Sequence, residues 1–379
     1  MIFKSTPPDY SSINEPLIWA VYDIHSTDPI TYANYKYVAE CWINNSLAGR
    51  SIRFQQPDNN MGVFDFATVI REYVIANLPT LSNGIQAKEM AQGAWSIDVL
   101  IKVKEEYNGA VGGVVLTDIT RTFYNHYNGR ISGFTLLNSL SAKPLSSRGS
   151  SIEVFLTNGN YFLPYFSESS GNFNLGISGN SSVTKVCNAV NVRSGQLLNI
   201  SPGAINSEYP GMITANTPSY AITLGGVIYN CKVICEPIFT NYPIHFLNQF
   251  GLFETFNFYK ARKQSISIER KTWQQLPYRV DSAGVVSLKT GNVMNSQLSS
   301  FGVKFNEKLR VSTNLLTDSE YLFLKQLVVS PLIYIEDNGI LYTITIAATD
   351  YEIKEIQVDK WNNFELEVTF GTSYKTQFQ

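Results

Sequence analysis

Histidines are the side chains of this sequence best suited to acid-base or metal chemistry, and the chain has three of them. His25, His126 and His245 are far apart along the chain, and each stands among aromatic residues. A metal cluster or a Ser-His-Asp arrangement needs several such groups together, and the sequence brings none of them together. We therefore predict packing or surface roles for all three, and we predict neither an enzyme nor a bound cofactor.

The four cysteines make a weak case for zinc. Cys231 and Cys235 are spaced so that both side chains would lie on one face of a strand, whereas Cys41 and Cys187 are remote from them. A structural zinc site needs a second pair of Cys or His ligands, and none accompanies this pair. Small buried hydrophobic side chains are the favoured interpretation, so we predict no metal site.

Two pairs of carboxylates, Glu105 with Glu106 and Glu352 with Glu355, could supply the acid and the base of a glycosidase. Neighbouring carboxylates on strands more often mark a solvated edge, which is the interpretation we favour. A glycan-cleaving enzyme therefore ranks lowest among the functions considered. The two glycine pairs do not open a helix in a phosphate-binding pattern and indicate turns or bulges: Gly112-Gly113 and Gly225-Gly226.

A basic cluster interleaved with aromatic residues follows a run of phenylalanines. In a protein that binds single-stranded nucleic acid, bases would stack on Phe256 or Tyr259. The alternating Ser and Ile residues from Ser265 to Ile268 instead predict a half-buried strand whose flanking cations pair with a neighbouring subunit. We favour this second interpretation. The cluster consists of Lys260, Arg262, Lys263, Arg270 and Lys271.

Composition supports an assembly subunit. Charged residues make up only 16% of the 379 residues, against about 25% in an average soluble protein. The 29 basic and 31 acidic residues give a net charge of −2 without a run of like charge, so we predict no direct contact with nucleic acid. Few strongly hydrated charges suit faces that neighbouring subunits cover. The pattern of apolar residues predicts neither a secretory signal nor membrane insertion.

The chain is long enough for two or three domains, and its residue types favour a mainly β, β-rich α+β fold. We predict an N-terminal domain over residues 1–140, a middle domain over 141–238 and a C-terminal domain over 239–379. The outer two are predicted as sheet or split-barrel units with one packed helix each. The Ser-, Asn- and Gly-rich middle domain is predicted as an inserted antiparallel β-sandwich, because short apolar pieces recur between turn residues.

Local patterns place the elements of the outer domains. In the first, Pro16–Asp23 and Tyr35–Asn44 are predicted to pair as a hairpin, and a helix over 65–76 begins at Asp65. Trp95–Tyr107 and Thr120–Tyr127 predict strands. In the last, Thr317 and Glu320 form a capping box for a helix over 317–329. Asn338-Gly339 predicts a type I′ hairpin, and Tyr351–Val358 and Phe364–Phe370 predict the closing strands.

Three segments carry a family resemblance. The first comprises PLIWAVYD, YKYVAECWIN and GVFDFATVIREYV, the second is YPIHFLNQFGLFETFNFYKARKQSISIERKTW, and the third is LTDSEYLFLKQLVVSPLIYI. Together they resemble structural tail or baseplate (tail-hub ring) proteins of tailed bacteriophages that infect Bacteroidota. The resemblance implies a virion protein, made in the cytoplasm of the bacterial host, that forms a ring in the distal tail, baseplate or tail hub. It also implies stacking on tail-tube components and support of host-attachment proteins.

The expected partners are copies of the same chain and other tail proteins. Two alternatives remain open: a carbohydrate- or receptor-binding module that uses exposed aromatic residues of 141–238, and a neck or head-to-tail ring protein of a short-tailed phage. We predict the subunit interface in the second segment, where aromatic and cationic side chains are densest. The candidates are Phe253, Phe256, Phe258, Tyr259, Arg262, Lys263, Arg270 and Trp273.

Overall fold

The computed structural model describes residues 1–9, 11–28, 30–54, 56, 58–76, 90–91, 96–108, 110–115, 118–124, 143–146, 148–149, 151–156, 159–167, 172–188, 194–234, 241–274, 278–288, 298–346, 362–370 and 374–376. Within these ranges the chain is mostly β-strand, in several sheets, with three α-helices. The predicted β-rich α+β class is confirmed.

The N-terminal region consists of β1 (Ile2–Ser5), β2 (Ser11–Ser12), β3 (Ile18–Tyr22), a 3-10 helix (Ile24–Thr27), β4 (Lys36–Ile43), β5 (Ser46–Phe54), β6 (Met61–Asp65), α1 (Ala67–Ala76), β7 (Met90–Ala91), β8 (Ser96–Tyr107), β9 (Ala110–Val115) and β10 (Ile119–Tyr124). One sheet has the order β1-β3-β6. The other has the order β2-β10-β8-β4-β5, with β9 paired to β8.

Apolar side chains from both sheets and α1 share one core. Trp19 on β3 makes edge-on contacts with Phe66 and Phe123, at ring-centroid distances of 5.8 and 5.9 Å. In both β4 and β8, alternate apolar side chains are buried in this core: Tyr37, Ala39, Cys41 and Ile43, and Ile97, Val99, Ile101 and Val103. Period-two apolar patterning therefore located these strands correctly.

Two local predictions for this region are wrong, and a third is confirmed. β3 pairs with β1 and β6, and β4 pairs with β5 and β8, so β3 and β4 do not form a hairpin. Asn44 and Asn45 have φ angles of 49° and 62°, so they form a tight turn that sends β4 directly into β5. The helix begins at Ala67, and Asp65 ends β6 while its Oδ1 accepts from the Ala67 N–H at 2.9 Å. The predicted turn or bulge at Gly112-Gly113 is confirmed, because the pair lies in β9 where its register with β8 shifts, between the pairs Glu106–Val111 and Lys104–Val115.

The middle region contains β11 (Lys143–Pro144), β12 (Ser151–Phe155), β13 (Phe162–Ser167), β14 (Asn172–Ser178), β15 (Ser182–Asn188), β16 (Ser194–Asn199), α2 (Pro202–Glu208), β17 (Ser219–Leu224) and β18 (Val227–Ile234). A sheet of order β11-β13-β16-β7 faces one of order β12-β18-β17-β14-β15, and side chains of both form one core. The first sheet takes β7 from the N-terminal region.

This sandwich departs from a purely antiparallel arrangement. β12 and β18 run parallel, with Ser151 opposite Asn230 and Phe155 opposite Ile234. Neighbouring parallel strands need a long crossover, and the remaining strands of the sandwich provide it. The sequence also missed α2, which is only 7 residues long and begins at a Ser201 cap. Short helices give little periodic signal.

The C-terminal region contains β19 (Tyr242–Leu247), β20 (Phe253–Phe258), β21 (Ala261–Gln274), β22 (Tyr278–Val280), β23 (Val286–Leu288), β24 (Leu298–Leu316), α3 (Asp318–Val329), β25 (Ile333–Asp337), β26 (Ile340–Ile346), β27 (Asn362–Phe370) and β28 (Tyr374–Thr376). Its main sheet has the order β20-β19-β25-β26-β27-β24-β21, with β28 on β24. α3 covers one face with Tyr321, Phe323, Leu324 and Leu327.

Two local predictions in this region are confirmed. Thr317 and Glu320 form the capping box at the start of α3. Asn338 and Gly339, with φ angles of 51° and 78°, connect β25 to β26. The predicted strand Tyr351–Val358 and the predicted domain end near Leu140 lie outside the described residues. Among the helices that the structure describes, none is long and apolar enough to cross a membrane.

Candidate functional site

The candidate functional site is the long exposed part of β21, residues 263–274, which we call the edge segment. All of its side chains are exposed. Because side chains alternate between the two faces of a strand, both faces of the edge segment lie open. β21 is also the last strand of its sheet, and the described chain places no strand beyond it. The prediction of a half-buried strand is therefore wrong.

Apolar side chains are prominent in the edge segment. Ile266, Ile268 and Trp273 are 56%, 52% and 50% exposed. At about 3.4 Å per residue, the edge segment extends for roughly 40 Å. Monomeric proteins shield such edges with charges, bulges or covering loops, because free backbone groups readily pair with another strand. Here Lys263 and the Arg270-Lys271 pair flank an apolar centre, so the shielding is only partial.

A second exposed ribbon follows in the chain. β22 and β23 pair with each other through a turn in which Asp281 Oδ1 accepts from the N–H groups of Ala283 and Val285, both at 2.9 Å. Its apolar side chains also face solvent: Tyr278, Val280, Val285 and Val286 are between 52% and 65% exposed. These four apolar side chains, like Ile266, Ile268 and Trp273 of the edge segment, are therefore exposed in the part of the chain that the structure describes.

The structure separates the predicted interface residues into two groups. Phe253, Phe256, Phe258 and Tyr259 are buried within the chain, between 0% and 9% exposed, so they are unavailable to a second chain. That part of the interface prediction is wrong. Lys263, Arg270 and Trp273 lie on the edge segment and are exposed. Arg262 pairs through its backbone with Val311, and its side chain lies outside the described part of the structure.

The buried phenylalanines have a clear structural reason. Both faces of β20 are covered, because its sheet packs on α3 while the middle sandwich contacts it from the other side. Phe256 lies 6.4 Å from Phe323 of α3, between ring centroids. Across the other face, the Phe162 N–H donates to Thr255 Oγ1 at 3.1 Å, and Asn257 Nδ2 donates to the Tyr161 hydroxyl at 2.7 Å. β20 thus forms an intramolecular contact between the middle sandwich and the C-terminal sheet.

The burial of these rings also bears on nucleic acid. Bases cannot stack on Phe256 or Tyr259, because the chain itself covers both rings. The Tyr259 hydroxyl donates to Glu153 Oε2 at 2.8 Å and its ring contacts Phe155. The basic cluster therefore has neither of the two aromatic rings on which the bases of a single strand were expected to stack.

His245 lies in a buried polar relay that resembles a catalytic triad in connectivity. His245 Nδ1 is 2.8 Å from Thr255 Oγ1, and its Nε2 is 3.1 Å from Glu336 Oε2. All three residues are at most 6% exposed, so no substrate can reach the hydroxyl. Thr255 Oγ1 also accepts from the Phe162 N–H. The relay fixes the joint between the sandwich and the C-terminal sheet, in line with the predicted packing role of His245.

His25 has different surroundings from those the sequence indicated. Its Nδ1 lies 3.3 Å from Asp23 Oδ1 and 3.1 Å from Glu105 Oε2. Glu105 is only 1% exposed, so it does not belong to a solvated edge, whereas Glu106 lies 3.8 Å from Lys36 Nζ nearer the surface. The sequence missed this cluster because Glu105 is 80 positions away from His25. The short spacing between Asp23 and His25 was the one signal of this cluster in the local sequence.

Those of the remaining candidates that the structure describes are buried or half-buried. Burial raises the pKa of the Cys41 and Cys231 thiols to about 12, as expected for small core side chains. The five tyrosines of the middle region offer no exposed aromatic platform for a glycan: Tyr161, Tyr165, Tyr220 and Tyr229 are buried, and Tyr209 is half-buried. His126, Cys235, Glu352 and Glu355 lie outside the described residues.

Comparison with known proteins adds little. No protein-family model and no curated protein matches this sequence. Among solved structures, a tri-modular GH5 (subfamily 4) endo-beta-1,4-glucanase from Bacillus licheniformis, complexed with cellotetraose, aligns at 6% identity with a TM-score of 0.16. The alignment covers 62% of this chain and 38% of the glucanase. A TM-score this low supports neither a shared fold nor a shared activity.

Proposed function

We propose that this protein is a non-enzymatic structural subunit of a ring in the tail of a tailed bacteriophage. In this proposal the ring lies in the distal tail, baseplate or tail hub, stacks on tail-tube components and supports the proteins that attach to the host. Two things support the proposal: the three segments that resemble phage tail proteins, and the exposed edge segment. The edge segment is the observation that carries it.

The edge segment suits assembly for a physical reason. A free strand edge presents unpaired N–H and C=O groups, and a strand from a neighbouring molecule can satisfy them. Ile266 and Ile268 would then be buried in the contact, where apolar area contributes about 25 cal/mol per Å². A contact between different surfaces of identical subunits repeats around an axis and closes as a ring when the rotation allows.

The charge distribution is compatible with this arrangement. On the edge segment, Lys263, Arg270 and Lys271 outnumber Glu269, so its described side chains have a net positive charge. The neighbouring surface is therefore expected to be acidic where it meets these ends. Such charges mainly set orientation and association rate, while the apolar centre supplies affinity.

The test is the oligomeric state of the purified full chain, by native mass spectrometry and negative-stain electron microscopy. We expect rings for the wild type, and a shift to monomers for a double variant that combines Ile266→Lys with Ile268→Lys. A matched control is Ile52→Lys on β5, where the isoleucine is 47% exposed on another edge strand. Circular dichroism should show the same fold in all three.

The outcomes separate the alternatives. A wild type that stays monomeric at every concentration, also with its tail partners, would contradict the ring proposal. Rings that persist in the double variant would reject the edge segment as the contact. Binding of the full chain to host glycans would favour a receptor-binding module instead.

A further inference from the structure

Three side chains that the sequence separates converge beside the N-terminal core. Asp23 precedes the 3-10 helix, and its Oδ1 caps it by accepting from the His25 N–H at 2.9 Å. This cap holds the His25 ring next to the Asp23 carboxylate. β8 brings Glu105 to the other side of the ring, and one ligand atom from each of the three residues lies within 4.8 Å of the other two.

The Glu105 carboxylate is only half satisfied. Its Oε2 lies 3.1 Å from His25 Nδ1 and accepts from the Tyr35 hydroxyl at 3.1 Å. Its Oε1 is buried without a hydrogen-bond partner among the described residues. An unsatisfied buried polar atom costs about 1–3 kcal/mol. The contacts with His25 and Tyr35 therefore account for Oε2 and leave Oε1 unexplained.

The distances suit a metal ion. Bonds of about 2.0–2.1 Å to a tetrahedral zinc ion place neighbouring ligand atoms about 3.3 Å apart. The two distances from His25 Nδ1, 3.1 Å to Glu105 Oε2 and 3.3 Å to Asp23 Oδ1, are close to this value. One imidazole and two carboxylates form a donor set for Zn²⁺ or Mn²⁺, while Ca²⁺ prefers oxygen ligands alone.

Surrounding contacts hold the three ligands in place. The His25 ring stacks on Tyr32 at 4.3 Å between centroids. The Tyr37 hydroxyl accepts from the Asp23 N–H at 3.0 Å, and the nitrogen of Met1 contacts Asp23 Oδ2. That contact leaves Oδ1 as the Asp23 ligand atom. The His25 side chain is 31% exposed, so a metal ion has a route from solvent.

We propose that Asp23, His25 and Glu105 bind one divalent transition-metal ion, with Zn²⁺ preferred. With both oxygens of Glu105 on the ion, Oε1 gains the partner that it lacks, and the ion ties the 3-10 helix to β8. Because ligands gathered by folding bind the ion only in the native state, metal binding stabilises the N-terminal region. This site is independent of the ring proposal and replaces the sequence prediction of no metal site.

The experiment uses the full chain after chelator treatment, titrated with ZnCl₂ and, separately, MnCl₂ by calorimetry, with the melting temperature recorded at each step. We expect one Zn²⁺ per chain and a rise in melting temperature. Glu105→Gln and His25→Gln should each weaken Zn²⁺ binding by more than roughly 100-fold, since losing a residue that merely supports a ligand costs 10- to 100-fold. Tyr35→Phe removes the hydroxyl that supports Glu105 and should weaken Zn²⁺ binding by roughly 10-fold.

Glu106→Gln is the matched control, because Glu106 is the next residue of β8 and faces Lys36. It should bind Zn²⁺ as the wild type does. Absence of Zn²⁺ and Mn²⁺ binding by the wild type would overturn the proposal. Equal affinity in Glu105→Gln, His25→Gln and the wild type would overturn it as well. Because His25 is partly exposed, His25→Gln remains informative even if Glu105→Gln fails to fold.

Discussion

His245 Nε2 lies 3.1 Å from Glu336 Oε2, and this contact links β19 to β25 in the interior of the chain. Glu336 also accepts from the backbone N–H and the side-chain amide of Asn160, each at 3.2 Å. One carboxylate therefore connects two strands of the C-terminal sheet to the middle sandwich. A polar contact at the junction of two regions makes their packing sensitive to pH.

The first prediction concerns acid. Burial by itself raises the pKa of Glu336, but the hydrogen bond and charge of His245 and the bonds from Asn160 outweigh it, so the pKa lies below the ordinary 4.5. The stabilising effect is present above pH 4.5 and is lost as pH falls through the folded-state pKa. Wild type should lose stability on acidification below that value. Glu336→Gln should be less stable at neutral pH and lose less in acid.

Urea denaturation at a series of pH values measures this difference. Glu72→Gln, a change at an exposed position of α1, is the control and should follow the wild type. An acid profile for Glu336→Gln that runs parallel to the wild type would contradict the prediction.

Glu254 should show the opposite pH dependence. Its burial raises the pKa to about 7, although hydrogen bonds from Ser146 and Asn248 and the charge of Arg148 act against the rise. The stabilisation is complete below pH 4.5 and is lost as pH rises towards 7. The loss amounts to roughly 3 kcal/mol. Glu254→Gln removes the ionisation, so its stability relative to wild type should increase between pH 5 and pH 8. A constant difference across that range would refute the assignment.

Gly62 allows a test of core packing. A Cβ added there would lie 2.5 Å from Cδ2 and 2.6 Å from Cγ of Tyr37. The Tyr37 ring cannot move away easily, because it is fully buried and its hydroxyl donates to the Asn60 carbonyl at 2.9 Å. Gly62→Ala should therefore cost about 1–3 kcal/mol of unfolding free energy. Gly203→Ala is the control, since its added Cβ meets nothing within 4 Å beyond its chain neighbours and the backbone of α2, and α2 gains a better helix former.

The cap of α3 gives a fourth test. Thr317 Oγ1 accepts from the Glu320 N–H at 3.4 Å, and Glu320 Oε2 accepts from the Thr317 N–H at 2.9 Å. Thr317→Ala removes half of this box and should cost about 1 kcal/mol in chemical denaturation. Thr317→Ser keeps the hydroxyl and should lose much less. Equal losses in both variants would mean that the methyl group matters more than the cap.

Features that depend on nearby residues were predictable from the sequence. The capping box at Thr317 and the Asn338-Gly339 hairpin each depend on a few consecutive residues, and both are confirmed. The alternation of β8 also identified its buried face. Strand partners depend on the whole sheet, so the pairing of β3 with β4 was wrong although both strands exist.

Apolar patterning alone could not assign a covering partner to a surface. The phenylalanines of β20 were predicted as an intermolecular interface, but the chain's own sandwich and α3 cover them. The Ser-Ile alternation of β21 was predicted to be half-buried, yet it is exposed on both faces. An apolar pattern predicts which side chains can be buried, but which part of the protein covers them depends on the tertiary structure. The Asp23, His25 and Glu105 cluster was missed because it forms by the meeting of distant segments.

The parallel pairing of β12 with β18 has a practical consequence. Phe155 ends β12, whereas Val227 begins β18 at the opposite end of the parallel pair, so the chain between them crosses the length of both strands and reverses in several turns. Peptide tags placed in its outlying turns, such as the one at Gly225-Gly226, should leave the surrounding scaffold undisturbed. An electron microscopist could therefore use that turn as a fiducial to find each copy of this chain inside an intact particle.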